Sequence, residues 1–267
     1  MGLSALFAAV FLSLVATRIM HGRSDRRDGL LAVVAGYVLI YLFAPNAMSG
    51  GSFITDRLNL YPFFAFVLWF GIHSFHRSVK RGIILAALVI TLVSFGLHAR
   101  RYSELSDYLA EYHSGMHLIK PNTTLLPLVF DSRGRASDGR ILSLKSRPFL
   151  HASGRIASES HIVEFTNYEA GAVNYFPIIY RSNLNPYVHI GIEGKLAMEP
   201  PRVEFLTYPE RTGGQVDYVL VWGIQERQRN LDATKSIYEQ IEKGYDLIYT
   251  SPRTGLMNLY QRKKLTK

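Results

Sequence analysis

The stretch richest in chemical suggestion is Gly50-Gly51-Ser52-Phe53-Ile54-Thr55-Asp56-Arg57-Leu58-Asn59-Leu60-Tyr61-Pro62, which joins two apolar runs. An Asp-Arg pair beside membrane-seeking segments costs free energy unless it is paired or meets a polar ligand. A guanidinium in that position can fork onto a phosphate through charge-assisted hydrogen bonds. Gly50 and Gly51 would let the backbone come close to such a ligand. Asp56 would orient Arg57, with Tyr61 as a neighbour. The plainer reading is an interface anchor, Asp56 against Arg57, within an aromatic belt of Tyr61, Phe63, Phe64 and Trp69.

A second constellation follows far along the chain: His151 with Arg147, then His161, Asn167, Tyr168, Glu169, Asn174 and Tyr175. Aromatic faces and amides suit sugar rings, so His151, His161, Asn167, Tyr168 and Asn174 are candidates to line a sugar or acceptor cleft. The plainer reading has these side chains satisfying turns and backbone groups. His151 and His161 lie too far apart, with no carboxylate at ligand spacing, to argue a metal site. Glu159, Glu164 and Glu169 recur at intervals that define no helix or strand face, so they are not read as an acid–base pair. No P-loop and no G-x-S-x-G occurs. The sequence nominates no catalytic residue.

The elements that must position these groups fall into two units, 1–98 and 99–267. The first is mostly apolar, with runs at 3–17, 30–44, 61–72 and 83–97. Each is a little short of the roughly 20 residues that span a bilayer, and uncharged flanks bring it close. Four in a row predict four transmembrane helices. The first lacks a basic leader and an A-x-A site, so it reads as a retained span. The short loops at 18–28 and 73–81 carry most of the basic residues near the membrane, which makes them cytoplasmic. The Arg57 loop, the N-terminus and everything after 98 then share the opposite side. An outward N-terminus fits a Met1 internal to a longer multi-span protein.

The second unit is predicted to be an extracytoplasmic α/β domain with a mixed sheet. Strands are expected at 123–130, 217–222, 245–250 and 256–262, and helices at 102–118, 148–159 and 232–243. Asp232 is the expected N-cap of the last helix, with Gly244 just past its end. Residues 132–138 read as a polar loop, 163–168 as a short strand or extended piece, and 174–179 and 187–190 as apolar but of open type. The chain has no cysteine, so this domain relies on its own core. The net charge of +9 is partly topological. No zinc spacing or RNA-binding signature accompanies it, which argues against nucleic acid as a partner.

The order of spans, a loop with Asp56-Arg57-Leu58 and Tyr61-Pro62, further spans, and a domain ending in Tyr245-Asp246-Leu247-Ile248-Tyr249 and Leu256-Met257-Asn258-Leu259-Tyr260-Gln261-Arg262 resembles the C-terminal part of bacterial membrane glycosyltransferases. These are the dolichyl-phosphate-mannose-type or aminoarabinose-transferase-like group with the GT-C fold. The resemblance implies a multi-pass protein of the bacterial inner membrane. It implies transfer of a sugar from a polyprenyl-phosphate donor in the cell envelope, often with a divalent metal. It carries over Arg57 as a donor-phosphate contact, with Asp56 and Tyr61 beside it. The family's catalytic aspartate belongs to a first outward loop that this chain lacks. A segment of this kind would be inactive without an N-terminal half of the same enzyme. The alternative is a membrane-anchored extracytoplasmic binding or interaction domain without catalysis.

Overall fold

The computed structural model describes residues 13, 15, 16, 20, 25–45, 47, 48, 51, 52, 57, 58, 60–72, 74–136, 138–171 and 177–264. The chain divides into two compact units, Met1–Thr91 and Leu92–Lys267.

In the first unit, helix α1 (Gly29–Phe43) packs against helix α2 (Leu60–Ile72), with Val34, Ala65, Phe66 and Trp69 buried between them. Tyr37 stacks on Tyr61 at 5.2 Å. Trp69 Nε1 donates to Asp28 Oδ1 at 2.9 Å, and Arg27 Nη1 donates to the Ile72 carbonyl at 3.1 Å. These two bonds fasten the start of α1 to the end of α2. Between the helices a two-residue ladder pairs β1 (Ala47–Met48) with β2 (Gly51–Ser52). Helix α3 (Arg77–His113) begins in this unit and continues into the second.

The expectation of four transmembrane helices is corrected here. Among the described residues one helical stretch, Arg77–Leu118, is long and apolar enough to cross a membrane, and none of its apolar window is buried. At 1.5 Å per residue α1 is about 22 Å long and α2 about 20 Å, against a hydrocarbon core of about 30 Å. The stop of α1 has a local cause. Pro45 drives Ala44 into extended backbone (φ −70°, ψ 141°), which ends the helix one residue earlier. The charged turn Arg26–Asp28 bounds its other end. The expected first span lies outside the described residues apart from Ser13, Val15 and Ala16. The basic residues Arg77, Lys80 and Arg81, read as loop, sit in the first turns of α3.

The second unit is built on a five-stranded mixed sheet, order β4-β3-β5-β7-β6. Its strands are β3 (Thr124–Val129), β4 (Val163–Glu164), β5 (Tyr218–Trp222), β6 (Tyr245–Thr250) and β7 (Met257–Arg262). β3 runs parallel to both β4 and β5, whereas β7 is antiparallel to β5 and β6. β3 and β5 are apolar on both faces, the pattern of strands covered on both sides. One face of the sheet (Leu126, Leu128, Val219, Val221) packs with Phe205 and with Ile237 and Ile241 of helix α5 (Asp232–Gly244). The other (Leu125, Val129, Leu220, Trp222) packs with Tyr108 and Tyr112 of α3 and Ile156 of helix α4 (Ser153–Ser160). Asp217 Oδ2 accepts from Thr124 N at 2.9 Å and so pins the β3/β5 register at its start.

Several expected bounds shift. Residues 148–152 form turns, and α4 starts only at Ser153. The N-cap of α5 is Leu231, with Asp232 in the first turn, and Gly244 is the helix's last residue. Residues 186–189 form a single helical turn capped by the Asn185 side chain.

The end of α3 is tied to the sheet by a buried carboxylate. Glu111 Oε1 accepts from Ser251 Oγ (2.6 Å), Thr254 N (3.0 Å) and Thr254 Oγ1 (2.6 Å), all in the turn between β6 and β7. Arg253 adds its guanidinium over the Tyr108 ring, 4.7 Å from the centroid. Glu111→Ala leaves the buried Ser251 hydroxyl without its acceptor, while water can reach the exposed Thr254 donors, and is expected to cost about 1–3 kcal/mol, the cost of one unmet buried group. Glu111→Gln keeps the acceptor and should cost clearly less. Denaturant unfolding of the two variants checks this, and equal losses would show that the tie contributes only by packing.

Candidate functional site

The described residues place the expected donor contact in a helical turn. Arg57 and Leu58 are helical and Arg57 is exposed, with no hydrogen bond or ion pair among the described residues. Tyr61 is in the first turn of α2, stacked on Tyr37. Asp56 lies outside the described residues, so its expected pairing is not placed.

Of the expected cleft, the structure brings His151 and Tyr168 together, with ring centroids 5.0 Å apart. His161 is elsewhere: it closes the far end of α4 in left-handed backbone (φ 53°), and its carbonyl accepts from Asn122 N at 3.0 Å. Asn167 Oδ1 accepts from Glu169 N at 3.1 Å, a turn-forming bond within the chain. Asn174 lies outside the described residues. Asn167 also borders a hollow of about 560 Å³ beside β4, shared with Glu164, Ile179, Tyr180 and Arg181.

Glu164 is the most perturbed acid near this hollow. Its Oε1 accepts from Ser153 Oγ (3.0 Å), Thr166 N (3.2 Å) and Thr166 Oγ1. Burial raises its pKa above the ordinary carboxylate range, while the Thr166 and Ser153 donors and then His151 oppose the rise. Burial and the nearby Glu164 charge also raise the Tyr112, Tyr180 and Tyr187 phenols, which stay protonated.

A different crevice lies where the parallel strands end. From β3 the chain moves to β4 on one side, while β5 lies on the other, so the β3/β5 boundary is a topological switch point. Ligands of open α/β sheets bind outside the carboxyl ends of the strands at such a point. There the segment after β3, Asp131-Ser132-Arg133-Gly134-Arg135, meets the segment after β5, Gly223-Ile224-Gln225-Glu226-Arg227. A hollow of about 670 Å³ opens between them, bordered by Asp131, Arg135, Trp222, Gln225, Arg227 and Leu256. A second hollow of about 240 Å³ shares Asp131, Arg135, Gln225 and Arg227 with it and adds Arg133, Arg147 and Glu199.

Buried Asp131 organises this crevice. Its Oδ1 accepts from Arg133 N (3.1 Å) and Gly134 N (3.0 Å), folding the turn back on the strand end. Its Oδ2 accepts from Gln225 Nε2, joining the two segments, and lies 3.1 Å from Arg135 Nε. That ion pair is close but not aligned as a hydrogen bond, and Arg135 Nε has no hydrogen-bond partner. Gln228 Nε2 donates to the Phe130 carbonyl at 2.9 Å and locks the second segment from below. Gly134 has φ +73°, and a Cβ there would sit 2.3 Å from the Phe149 ring, so only glycine fits.

The carboxylates of the crevice already have partners. Glu199 accepts from Ser132 Oγ, and Glu226 pairs with Arg229 at 3.0 Å. Among the described residues the guanidiniums of Arg133, Arg147 and Arg227 have no such partner, and all three are exposed. The arrangement can hold an anion. It does not fit a divalent metal: among the described residues no three His, Asp or Glu side chains are grouped as ligands. The metal implied by the resemblance therefore has no donor set here.

Sequence reading passed over Arg133 and Arg135 by treating 132–138 as loop, and it gave Asp131 and Arg227 no role. The available signal was two buried strand runs, each followed at once by a glycine- and arginine-bearing segment. No protein family, curated protein or solved structure matches the chain.

The Glu164 shift makes stability depend on pH. The folded state holds a proton that the unfolded state releases above about pH 4.3. The contribution of this group to stability is therefore fully present below that value and is lost as pH rises through the raised folded pKa. Glu164→Gln keeps the Oε1 acceptor and removes the ionisation. Its melting temperature should exceed the parent's at pH 8, with the gap closing near pH 4, as a pH series of thermal melts would read. A gap independent of pH would refute a protonated Glu164.

Proposed function

We propose that the chain is a membrane-tethered binding domain that takes a small ligand in the switch-point crevice and performs no catalysis. The apolar stretch of α3 is the tether, and the α/β domain faces away from the cytoplasm according to the distribution of basic residues. The observation that carries this reading is the crevice itself. Its two walls come from segments held in place by Asp131 and Gln225, and its exposed guanidiniums have no ion-pair partner among the described residues.

The chain has two tryptophans, Trp69 and Trp222. Trp222 forms part of the crevice wall, whereas Trp69 is in the first unit. The full chain labelled with 5-fluorotryptophan, in phosphatidylcholine nanodiscs, therefore reports occupancy through one resonance, assigned with Trp69→Phe. Titration with maltose, glycine, glucose 1-phosphate and inorganic pyrophosphate should shift the Trp222 signal saturably for at least one probe and leave Trp69 in place. No shift with any probe at millimolar concentration would overturn the reading.

The transferase reading rests on the resemblance, and one observation favours keeping it: Arg57 is exposed. In that reading Arg57 contacts the phosphate of a polyprenyl-phosphate-linked sugar, and the acid that performs the chemistry is supplied by another segment. Arg57→Ala should then weaken binding of a polyprenyl phosphate to the detergent-solubilised chain about 10-fold, as expected for loss of one charge-assisted contact. Unchanged binding, with an unchanged melting temperature, would remove Arg57 from that role.

A further inference from the structure

We infer that the switch-point crevice is a site for a phosphate ester, with the phosphate in the smaller hollow and the organic group in the larger one. This rests on the crevice being the ligand site and adds the chemistry of its ligand. Arg133, Arg135, Arg147 and Arg227 all border the smaller hollow, whose volume of about 240 Å³ admits a phosphate or diphosphate with its hydration. They come from three places in the chain: the turn after β3, the turn preceding α4 and the segment after β5. Their convergence is thus a product of folding and not of a basic run in the sequence.

The two acids in the same hollow, Asp131 and Glu199, stand against four guanidiniums, so the hollow keeps a positive excess. Asp131 is taken up by the Arg133 and Gly134 amides, Gln225 and Arg135, and Glu199 by Ser132. Three guanidiniums remain, each with a planar fork that matches the oxygen spacing of phosphate. A monocarboxylate offers two oxygens and one charge and cannot engage them all. A phosphate ester or diphosphate can.

The larger hollow differs in character. Trp222, Ile224, Leu256 and Ala136 contribute to its wall, together with Gln225 and Thr254. It shares Arg135 and Arg227 with the smaller hollow, so a ligand bridging the two places its charge at the arginines and its carbon skeleton against Ile224 and Leu256, beside the buried Trp222. The phosphate can belong to a soluble ester or to a lipid headgroup, and the chemistry of recognition is the same.

The test uses the full chain in nanodiscs and the Trp222 resonance, with Arg133→Gln, Arg147→Gln and Arg227→Gln made singly and together. These side chains are exposed, so matching melting temperatures are expected and serve as the folding check. Inorganic pyrophosphate and glucose 1-phosphate should shift Trp222 saturably. Each single change should weaken binding about 3- to 10-fold, and the triple variant should show none at millimolar concentration. Nanodiscs containing phosphatidic acid distinguish the sources. An arginine-dependent Trp222 shift with phosphatidic acid and none with the soluble esters assigns the site to a lipid headgroup, and the reverse assigns it to a soluble ester. Either result supports the phosphate site. A shift with maltose or glycine but with no phosphate would overturn it while leaving the binding-domain reading intact. Phosphate binding that is unaffected in the triple variant would overturn it as well.

Discussion

Parallel pairing of β3 with β5 is the constraint on which the second unit depends. Two parallel neighbours cannot be joined by a tight turn, so the chain between them must cross over and cover a face of the sheet. Both faces of Leu125–Val129 and Tyr218–Trp222 are apolar, so both need cover, supplied by α5 on one side and by α3 and α4 on the other. Parallel strands also deliver their carboxyl ends to the same edge. The crevice between residues 131–135 and 223–227 follows from that geometry, because β4 draws the first connection to one side of β3 while β5 occupies the other.

The same pairing explains a proline that would otherwise contradict a central strand. Pro127 sits in the middle of β3 and has no N–H to donate. The Thr123 and Leu125 carbonyls point toward β4, accepting from Val163 and Phe165, so the residue-127 position faces that side too. β4 pairs only with Thr124 and Leu125, so it has ended before Pro127 is reached. The missing donor therefore breaks no ladder bond, and the β3/β5 side of the ladder runs on to Trp222.

What was legible in the sequence was local. The runs at 217–222, 232–243 and 245–250 announce themselves by apolar periodicity and by the Gly244–Tyr245 junction, and the structure differs from those bounds by a residue or so. The spans misled because apolar composition sets no helix length. Pro45 and the charged turn at 26–28 do, and they hold α1 to 15 residues. The arginine crevice was illegible for a different reason. Arg133 and Arg227 are separated by more than ninety residues and meet only through strand pairing, and no local pattern records that β3 and β5 are neighbours. His151 and His161 looked like companions by proximity in sequence. Yet α4 intervenes and puts them beyond opposite ends of a helix.

The contrast between Glu164 and Asp131 separates scaffold from site. Glu164 is enclosed among hydroxyls and phenols without a cationic partner close enough to cancel its desolvation, so burial favours its neutral form. Asp131 is the more enclosed of the two but receives backbone amides, the Gln225 amide and Arg135, which together shape the turn. Four guanidiniums against the two carboxylates of Asp131 and Glu199 leave the smaller hollow with a positive excess. Because Arg133, Arg147 and Arg227 are exposed, water and salt screen each of them, with a Debye length of about 8 Å at physiological ionic strength. One guanidinium in that setting discriminates weakly between anions. Three facing one hollow reward a ligand that concentrates several oxygens and more than one charge, and they release it readily when it is diluted or hydrolysed. The fold thus builds an exchangeable, polyvalent-anion site from groups that are individually weak, with rigidity supplied by Asp131 and selectivity by convergence.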